Sequence, residues 1–342
     1  MITISLCMIV KNEEKILRRC LDSIKDLMDE IIIVDTGSSD RTKEIASGYT
    51  EQVYDFKWID DFSAARNFAF SKASCDYIYS ADADEVVNEE NRKKFKALKA
   101  KLLPEIEIVQ MYYGNQLSFG TIYNFDRELR PKLFKRIRTF VWEEPIHEMV
   151  RLSPVIYDSD IEITHLPENS HAARDLKAFR RQTENGEGLS ARLANIYAKE
   201  LFISGEDTDF LQAEEFFTEV ADSELVSMDQ MKEAICVITK AARLRRDYLK
   251  MYRYAMKDIA SEGVSEVCFE LGEYYYESEI YDEAIMWFYN AFHESQSILN
   301  IHYSGDLPLY RLSDCYDKMG QEDMAQEYRK QAQDFIESTG RE

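Results

Sequence analysis

Apolar and polar positions follow two different textures along this chain. Residues 3–10 form an almost continuous apolar run, the pattern of a strand buried on both faces. Residues 13–25 then place Ile16, Leu17, Cys20, Leu21 and Ile24 at helical spacing. A second buried strand is expected over 31–34. The polar turn Asp35-Thr36-Gly37-Ser38-Ser39-Asp40 ends it, with Asp40 placed to cap a helix over 41–49. Residues 53–56 predict a third strand, 62–73 a helix, 77–80 a fourth strand, 89–103 a helix closed by Pro104, and 107–113 a fifth strand. Strands alternating with helices imply a doubly wound, mostly parallel α/β sheet. Such sheets bind ligands at the carboxyl ends of their strands. Here those ends are Lys11-Asn12, Asp35 and Ala81-Asp82-Ala83-Asp84. From about 113 to 165 the β-like runs 117–123, 131–135 and 161–165 suggest antiparallel strands.

Beyond residue 170 the texture is almost wholly helical. Leu271-Gly272, Tyr275, Ala284, Phe288 and Ala291 have the spacing of a tetratricopeptide unit, and Leu312, Ser313, Tyr316, Ala325 and Ala332 repeat most of it 41 residues on. Leu193-Ala194, Tyr197 and Phe217 resemble a looser copy with a longer loop, and 228–243 with 247–259 supply a further helix pair. The small residues let two helices approach, and the aromatics fill the gap to the next pair. A generic helical bundle is the plainer alternative. The expected division is therefore 1–170, an α/β domain, and 171–342, an all-α repeat domain. A homo-oligomer, if one forms, is expected through the latter.

Charge narrows the partners. Residues 1–170 carry 23 basic and 30 acidic side chains, a net of −7, and residues 171–342 carry 19 and 34, a net of −15. The total of −22 argues against nucleic acid, whose binding needs a basic surface, and the acidic second half disfavours an anionic membrane. The basic run over 92–101 reads as a solvated helix face. No transmembrane segment or signal peptide is expected, since the first apolar run is short and Lys11-Asn12-Glu13-Glu14 follows it directly. The six cysteines form no CxxC pair, which suggests a reducing, cytoplasmic setting.

The candidate chemistry lies at the strand ends. In Asp82-Ala83-Asp84-Glu85, two carboxylates one residue apart after a buried strand are able to share a hard divalent cation that keeps sites for phosphate oxygens. The alternative is a turn or helix cap. Asp35, ending another strand, is placed to accept hydrogen bonds from a base edge or a ribose. Arg66, early in a helix, suits a diphosphate, or else a surface salt bridge with Asp60 or Asp61. No GxGxxG and no Walker A segment supports a dehydrogenase or a P-loop enzyme.

Together the stretches 5–14, 30–42, 61–67 and 82–85 resemble the inverting family-two glycosyltransferases of the A-type, nucleotide-diphospho-sugar fold. The likeness continues through Pro131-Lys132-Leu133-Phe134 and Pro145-Ile146-His147-Glu148. The subgroup with tetratricopeptide-like repeats after the catalytic domain is the most similar. It includes peptide and protein glycosyltransferases, some modifying Ser, Thr or Cys.

The resemblance implies a UDP-sugar donor, Mn²⁺ or Mg²⁺, and a polypeptide acceptor. Val10, Asn12, Glu13 and Asp35 would hold uracil and ribose. Arg66 would reach the base or diphosphate. Asp82, with Ala83 beside it, would approach the ribose and the metal, and Asp84 would bind the metal. Lys132 stands where the family usually has arginine, which removes a bidentate fork from any phosphate contact. Direct displacement with inversion needs a base for the acceptor's proton. Glu148 is the first choice and Glu144 the second, with His147 and Glu143 nearby. His165, at a strand end, is either a third metal ligand or a structural histidine. Two other functions compete: a transferase acting on a cell-surface or lipid-linked saccharide, and a non-catalytic repeat scaffold.

Overall fold

The computed structural model describes residues 2–114, 127–150, 154–166, 172–184, 188–223 and 225–338. They divide into two compact units, one holding the described residues up to 166 and the other those from 172 onward. The expected strand over 117–123 lies outside the described residues.

The first unit is built on an eight-stranded sheet. Its strands are β1 (Ile4–Val10), β2 (Glu30–Asp35), β3 (Val53–Asp55), β4 (Tyr77–Ala81), β5 (Glu85–Val86), β6 (Ile108–Gly114), β7 (Glu128–Lys135) and β10 (Ile156–His165). They lie in the order β3-β2-β1-β4-β7-β6-β10-β5. A separate two-stranded ribbon joins β8 (Trp142–Glu143) to β9 (Met149–Val150). Because successive side chains on a strand point to opposite faces, β1 feeds two cores. Ile4, Leu6, Met8 and Val10 pack with Leu17, Cys20, Leu21 and Ile24 of α1 (Leu17–Ile24) and Phe95 of α4 (Glu89–Lys101). Cys7 joins Ala69 and Phe70 of α3 (Phe62–Lys72) on the other face. Helices on both faces make the sheet doubly wound, as its apolar runs require.

Strands β2 and β4 flank β1, both parallel to it. Chain order therefore reverses at β1, and the crevice at its carboxyl end is the expected ligand site. Two expectations are corrected. Helix α1 begins at Leu17 rather than at 13, because the backbone of residues 12–14 is engaged by the loop after β2, as described below. The strand over 161–165 belongs to β10, which is antiparallel to β5 but parallel to β6. Strand β7 runs antiparallel to both β4 and β6, so a later strand opposed to β7 must run with β6.

The second unit is all helical: α5 (Ala172–Glu184), α6 (Ala191–Ser204), α7 (Asp207–Asp222), α8 (Met228–Arg245), α9 (Tyr248–Ile259), α10 (Ser265–Glu277), α11 (Tyr281–His293), α12 (Asp306–Lys318) and α13 (Glu322–Ser338). The helix α2 (Thr42–Ser47) belongs to the first unit. Hairpins form where the spacing placed them. At Gly272 of α10 an added Cβ would fall 2.6 Å from the Phe288 ring of α11, so the close approach depends on that missing carbon. The looser copy has no longer loop: only Gly205 and Glu206 separate α6 from α7, and its extra length lies in the helices. Between α11 and α12 the chain returns across α10. There buried Glu266 accepts the backbone N–H groups of Ile298, Leu299 and Asn300 at 3.0, 2.7 and 3.0 Å. No helix among the described residues is long and apolar enough to cross a membrane.

Candidate active site

At the carboxyl end of β1, Val10 stands opposite Asp35 in the ladder, and its carbonyl accepts the Thr36 N–H at 3.0 Å. Asn12 takes a left-handed φ of 58°. Its Oδ1 accepts the Ser39 N–H at 2.8 Å, and its own N–H donates to Ser38 Oγ at 2.9 Å. The Glu13 N–H donates to Thr42 Oγ1 at 2.6 Å. Asp40 takes the Thr42 N–H at 3.0 Å and the Glu14 N–H at 3.2 Å, but the N-cap position of α2 falls to Arg41, which makes no side-chain cap bond, so Asp40 lies one residue before the cap expected of it. Asp35 is buried, and its Oδ1 accepts the N–H groups of Gly37 and Ser38 at 3.0 and 2.9 Å. Gly37 has φ 104°, a conformation glycine adopts without strain. The other oxygen, Oδ2, is buried with no hydrogen-bond partner among the described residues. A buried acceptor left so is costly, and a ligand N–H or O–H is what it lacks.

Helix α3 aims Arg66 at the end of β4. Asp61 caps that helix by accepting the Ala64 N–H at 2.9 Å, and Asp60 accepts the Trp58 indole N–H at 2.9 Å. The alternative pairing of Arg66 with either aspartate is therefore not what forms. Arg66 donates to Asp82 at 2.9 Å, to Ser80 Oγ at 3.1 Å and to Glu148, and its guanidinium lies 5.2 Å from the Trp142 ring centre. Burial works against the charge on Arg66, but Asp82 and Glu148 hold it protonated. Desolvation by the surrounding protein works against ionisation of Asp82, although its side chain keeps an exposed edge, and Arg66 and Lys132 outweigh it, keeping that carboxyl below its usual range.

Asp84 meets His165 across 81 residues of chain, with Oδ2 and Nε2 3.1 Å apart. The pairing of β5 with β10 brings them together, setting His165 against Glu85. The Leu166 N–H adds a bond to the Asp84 carbonyl at 2.9 Å, and the Tyr113 ring lies 5.0 Å from the imidazole. Two adjacent ligands on a cation with bonds of 2.0–2.1 Å stand about 3 Å apart; the carboxylate suits Mn²⁺ or Mg²⁺, and the imidazole favours a transition ion such as Mn²⁺ over Mg²⁺. The donor set therefore fits the implied metal. Asp82 is drawn toward Arg66, and Asp82, Asp84 and His165 do not gather their ligand atoms within 4.8 Å of one another. Ala83 is buried between the two aspartates.

Behind them, Glu85 and Lys132 form a buried ion pair at 2.6 Å. Burial, with Asp82 and Asp84 adding to it, pushes the Glu85 carboxyl up to about 7 against the pull of Lys132. Lys132 thus has an internal partner.

The segment between β8 and β9 carries the candidate bases. Glu144 and His147 take positive φ values of 70° and 47°, backbone strain of a kind that clusters at functional sites. The Pro145 carbonyl accepts the Phe62 N–H at 2.9 Å, tying this segment to the start of α3. Glu148 is brought onto Arg66, Glu144 and His147 are half-buried, and Glu143 is exposed. Sequence reasoning did not single out Ser80, Trp142 or Tyr113. No spacing motif links them to Arg66 or His165, although Ser80 and Tyr113 sit toward the carboxyl ends of β4 and β6.

The family model described as Glycosyl transferase family 2 matches residues 5–151, so this part of the chain is similar to that family. The SPbeta prophage-derived glycosyltransferase SunS of Bacillus subtilis is 31% identical over 219 residues, which are 62% of this chain and 51% of that protein. The TPR repeat-containing protein Synpcc7942_0270 of Synechococcus elongatus is 52% identical over 85 residues, 25% of this chain and 21% of that one. An uncharacterized glycosyltransferase of Rickettsia typhi is 32% identical over 121 residues, 34% and 41% respectively. The chain thus spans from about a fifth to about half of the length of these relatives. Among solved structures, glucosyl-3-phosphoglycerate synthase from Mycobacterium tuberculosis with Mn²⁺ and UDP-glucose is 14% identical, with a TM-score of 0.41, covering 56% of this chain and 81% of that one.

Proposed function

We propose that this chain is an inverting, metal-dependent glycosyltransferase. It moves a hexose or N-acetylhexosamine from a UDP-sugar to a Ser, Thr or Cys side chain of a polypeptide. The observation that carries the reading is the meeting of Asp84 with His165 at 3.1 Å, beside Asp82 and at the ligand-binding end of the sheet. Asp84 and His165 would hold Mn²⁺ or Mg²⁺, which supplies stabilisation of the departing diphosphate. Asp35 would offer its buried, unpartnered oxygen to the uracil or ribose, with Val10, Asn12 and Glu13 shaping that pocket. Asp82 would lie toward the ribose. Arg66 would orient Glu148, and Glu148 would take the acceptor's proton as the new bond forms. Glu144 and His147 are the alternative bases, on the same strained segment.

The polypeptide acceptor rests on the helical hairpins, since stacked pairs suit extended chains, and on a relative named for TPR repeats. We take the catalytic domain as 1–170 and the repeat domain as 171–342. The free state of all six cysteines supports a cytoplasmic setting. The test is UDP release from UDP-hexose and UDP-N-acetylhexosamine with Mn²⁺, alongside mass spectrometry of proteins from cells with and without the enzyme. Asp84→Asn is expected to lose both hydrolysis and transfer, and full turnover in that variant refutes the metal assignment. Calorimetry with UDP and Mn²⁺ separates a scaffold, which would bind neither.

A further inference from the structure

Strand β7 carries a β-bulge at Lys132. Val109 of β6 pairs with Leu133, but the next residue, Gln110, pairs with Pro131, so Lys132 is skipped. Pro131 brings no N–H to a ladder, and bulges next to functional sites re-aim side chains. Strict alternation would put Lys132 on the face of Phe134, which packs with Cys7 and Phe70. Instead its ammonium lies 5.9 and 5.8 Å from the rings of Tyr79 and Tyr113, which belong to the opposite face with Leu133. There it meets Glu85, both side chains being more than nine-tenths buried.

We propose that the Pro131-Lys132 bulge is a charge-setting device. It delivers Lys132 to Glu85, so that a neutral ion pair stands behind Asp82 and Asp84, and the pair fixes the field that a divalent cation meets there. Lys132 on this reading is a positioning residue acting through Glu85, not a phosphate ligand, and Glu85 is kept off the cation. The inference rests on the metal role proposed above.

The charge logic gives an asymmetric test. Free Mn²⁺ is followed by its paramagnetic resonance signal as the full chain is titrated, and UDP binding with Mn²⁺ is followed by calorimetry. Glu85→Gln leaves a bare cation behind the aspartates and should weaken Mn²⁺ binding on the order of tenfold or more. Lys132→Met removes a positive charge and should bind Mn²⁺ at least as tightly as wild type, with UDP affinity within about threefold. The double variant Lys132→Met/Glu85→Gln restores neutrality and should return Mn²⁺ affinity to within about threefold of wild type. Unchanged Mn²⁺ binding in Glu85→Gln, or a double variant no better than Glu85→Gln, overturns the device. A tenfold loss of UDP affinity in Lys132→Met overturns it in favour of a phosphate contact. Should Glu85→Gln not fold, the Lys132→Met arm decides alone. Wild-type chain that binds no Mn²⁺ overturns this inference and the proposed function together, an outcome distinct from all the others.

Discussion

Replacing Arg66 by glutamine tests how the rim of the sheet is held together. The guanidinium is 13% exposed and Glu148 11%, so their pair is largely dry, whereas Asp82 is 42% exposed. Breaking a buried pair by removing one partner costs about 3–5 kcal/mol, because the other charge is stranded. The part-exposed Asp82 contact adds at most about 1 kcal/mol, since water replaces the lost partner. The bond to Ser80 and the stacking on Trp142 add roughly another 1 kcal/mol together, while the glutamine amide, still able to donate to Glu148, recovers roughly 1–3 kcal/mol of the total. A net loss of about 3–4 kcal/mol follows. For a unit of 150–250 residues, each kcal/mol lowers the midpoint by about 2–4 °C, so Arg66→Gln should melt roughly 6–16 °C below wild type by scanning calorimetry. Glu148→Gln in the same background should recover about half of that loss, because the stranded charge is then gone. An Arg66→Gln protein melting within about 2 °C of wild type would show that the guanidinium does not close the site, and the orienting role given to it would fall.

Three further outcomes are expected. Gly272→Ala drives a Cβ into the Phe288 ring and should cost about 1–3 kcal/mol in urea unfolding; pairing it with Phe288→Leu should recover most of that, and no recovery would mean the loss arises elsewhere. Glu200 of α6 has its carboxyl pushed up to about 7, by burial first and then by Asp175. A carboxyl raised in the folded state stabilises it below the unfolded value of 4.5, and that contribution is lost as pH rises from 4.5 to 7. Glu200→Gln should therefore gain on wild type across that window, by up to about 3 kcal/mol at its upper end, and a pH-independent difference would refute it. Asp35→Ala should weaken UDP binding about tenfold, and equal UDP affinity would remove Asp35 from the pocket.

Much of the sheet was legible because burial on both faces writes itself as continuous apolar runs, and β1, β2, β4 and β6 lie within a residue or two of where those runs fall. The start of α1 was not, because residues 13–16 keep helical spacing while the backbone N–H groups of Asn12, Glu13 and Glu14 are taken by Ser38, Thr42 and Asp40. The direction of β10 was not legible either, since one apolar run pairs equally well with a neighbour on either side. Likewise Tyr197 and Phe217 gave the packing of a helix pair but not whether the residues between them were loop or helix.

By itself the sequence determined which strand ends are polar, which residues carry oxygen ligands, and that helix pairs follow an α/β half. Those properties are local, set by residue type and spacing. Only the tertiary structure decided that Arg66 bridges Asp82 and Glu148, that Asp84 faces His165, and that Lys132 turns across the sheet to Glu85. Apart from Arg66–Asp82 at 16 residues, these contacts span 47 to 82 residues. They depend on strand order, on the register of β5 against β10 and on one bulge in β7. Such choices are made by how the whole sheet packs, and no short stretch of residues encodes them.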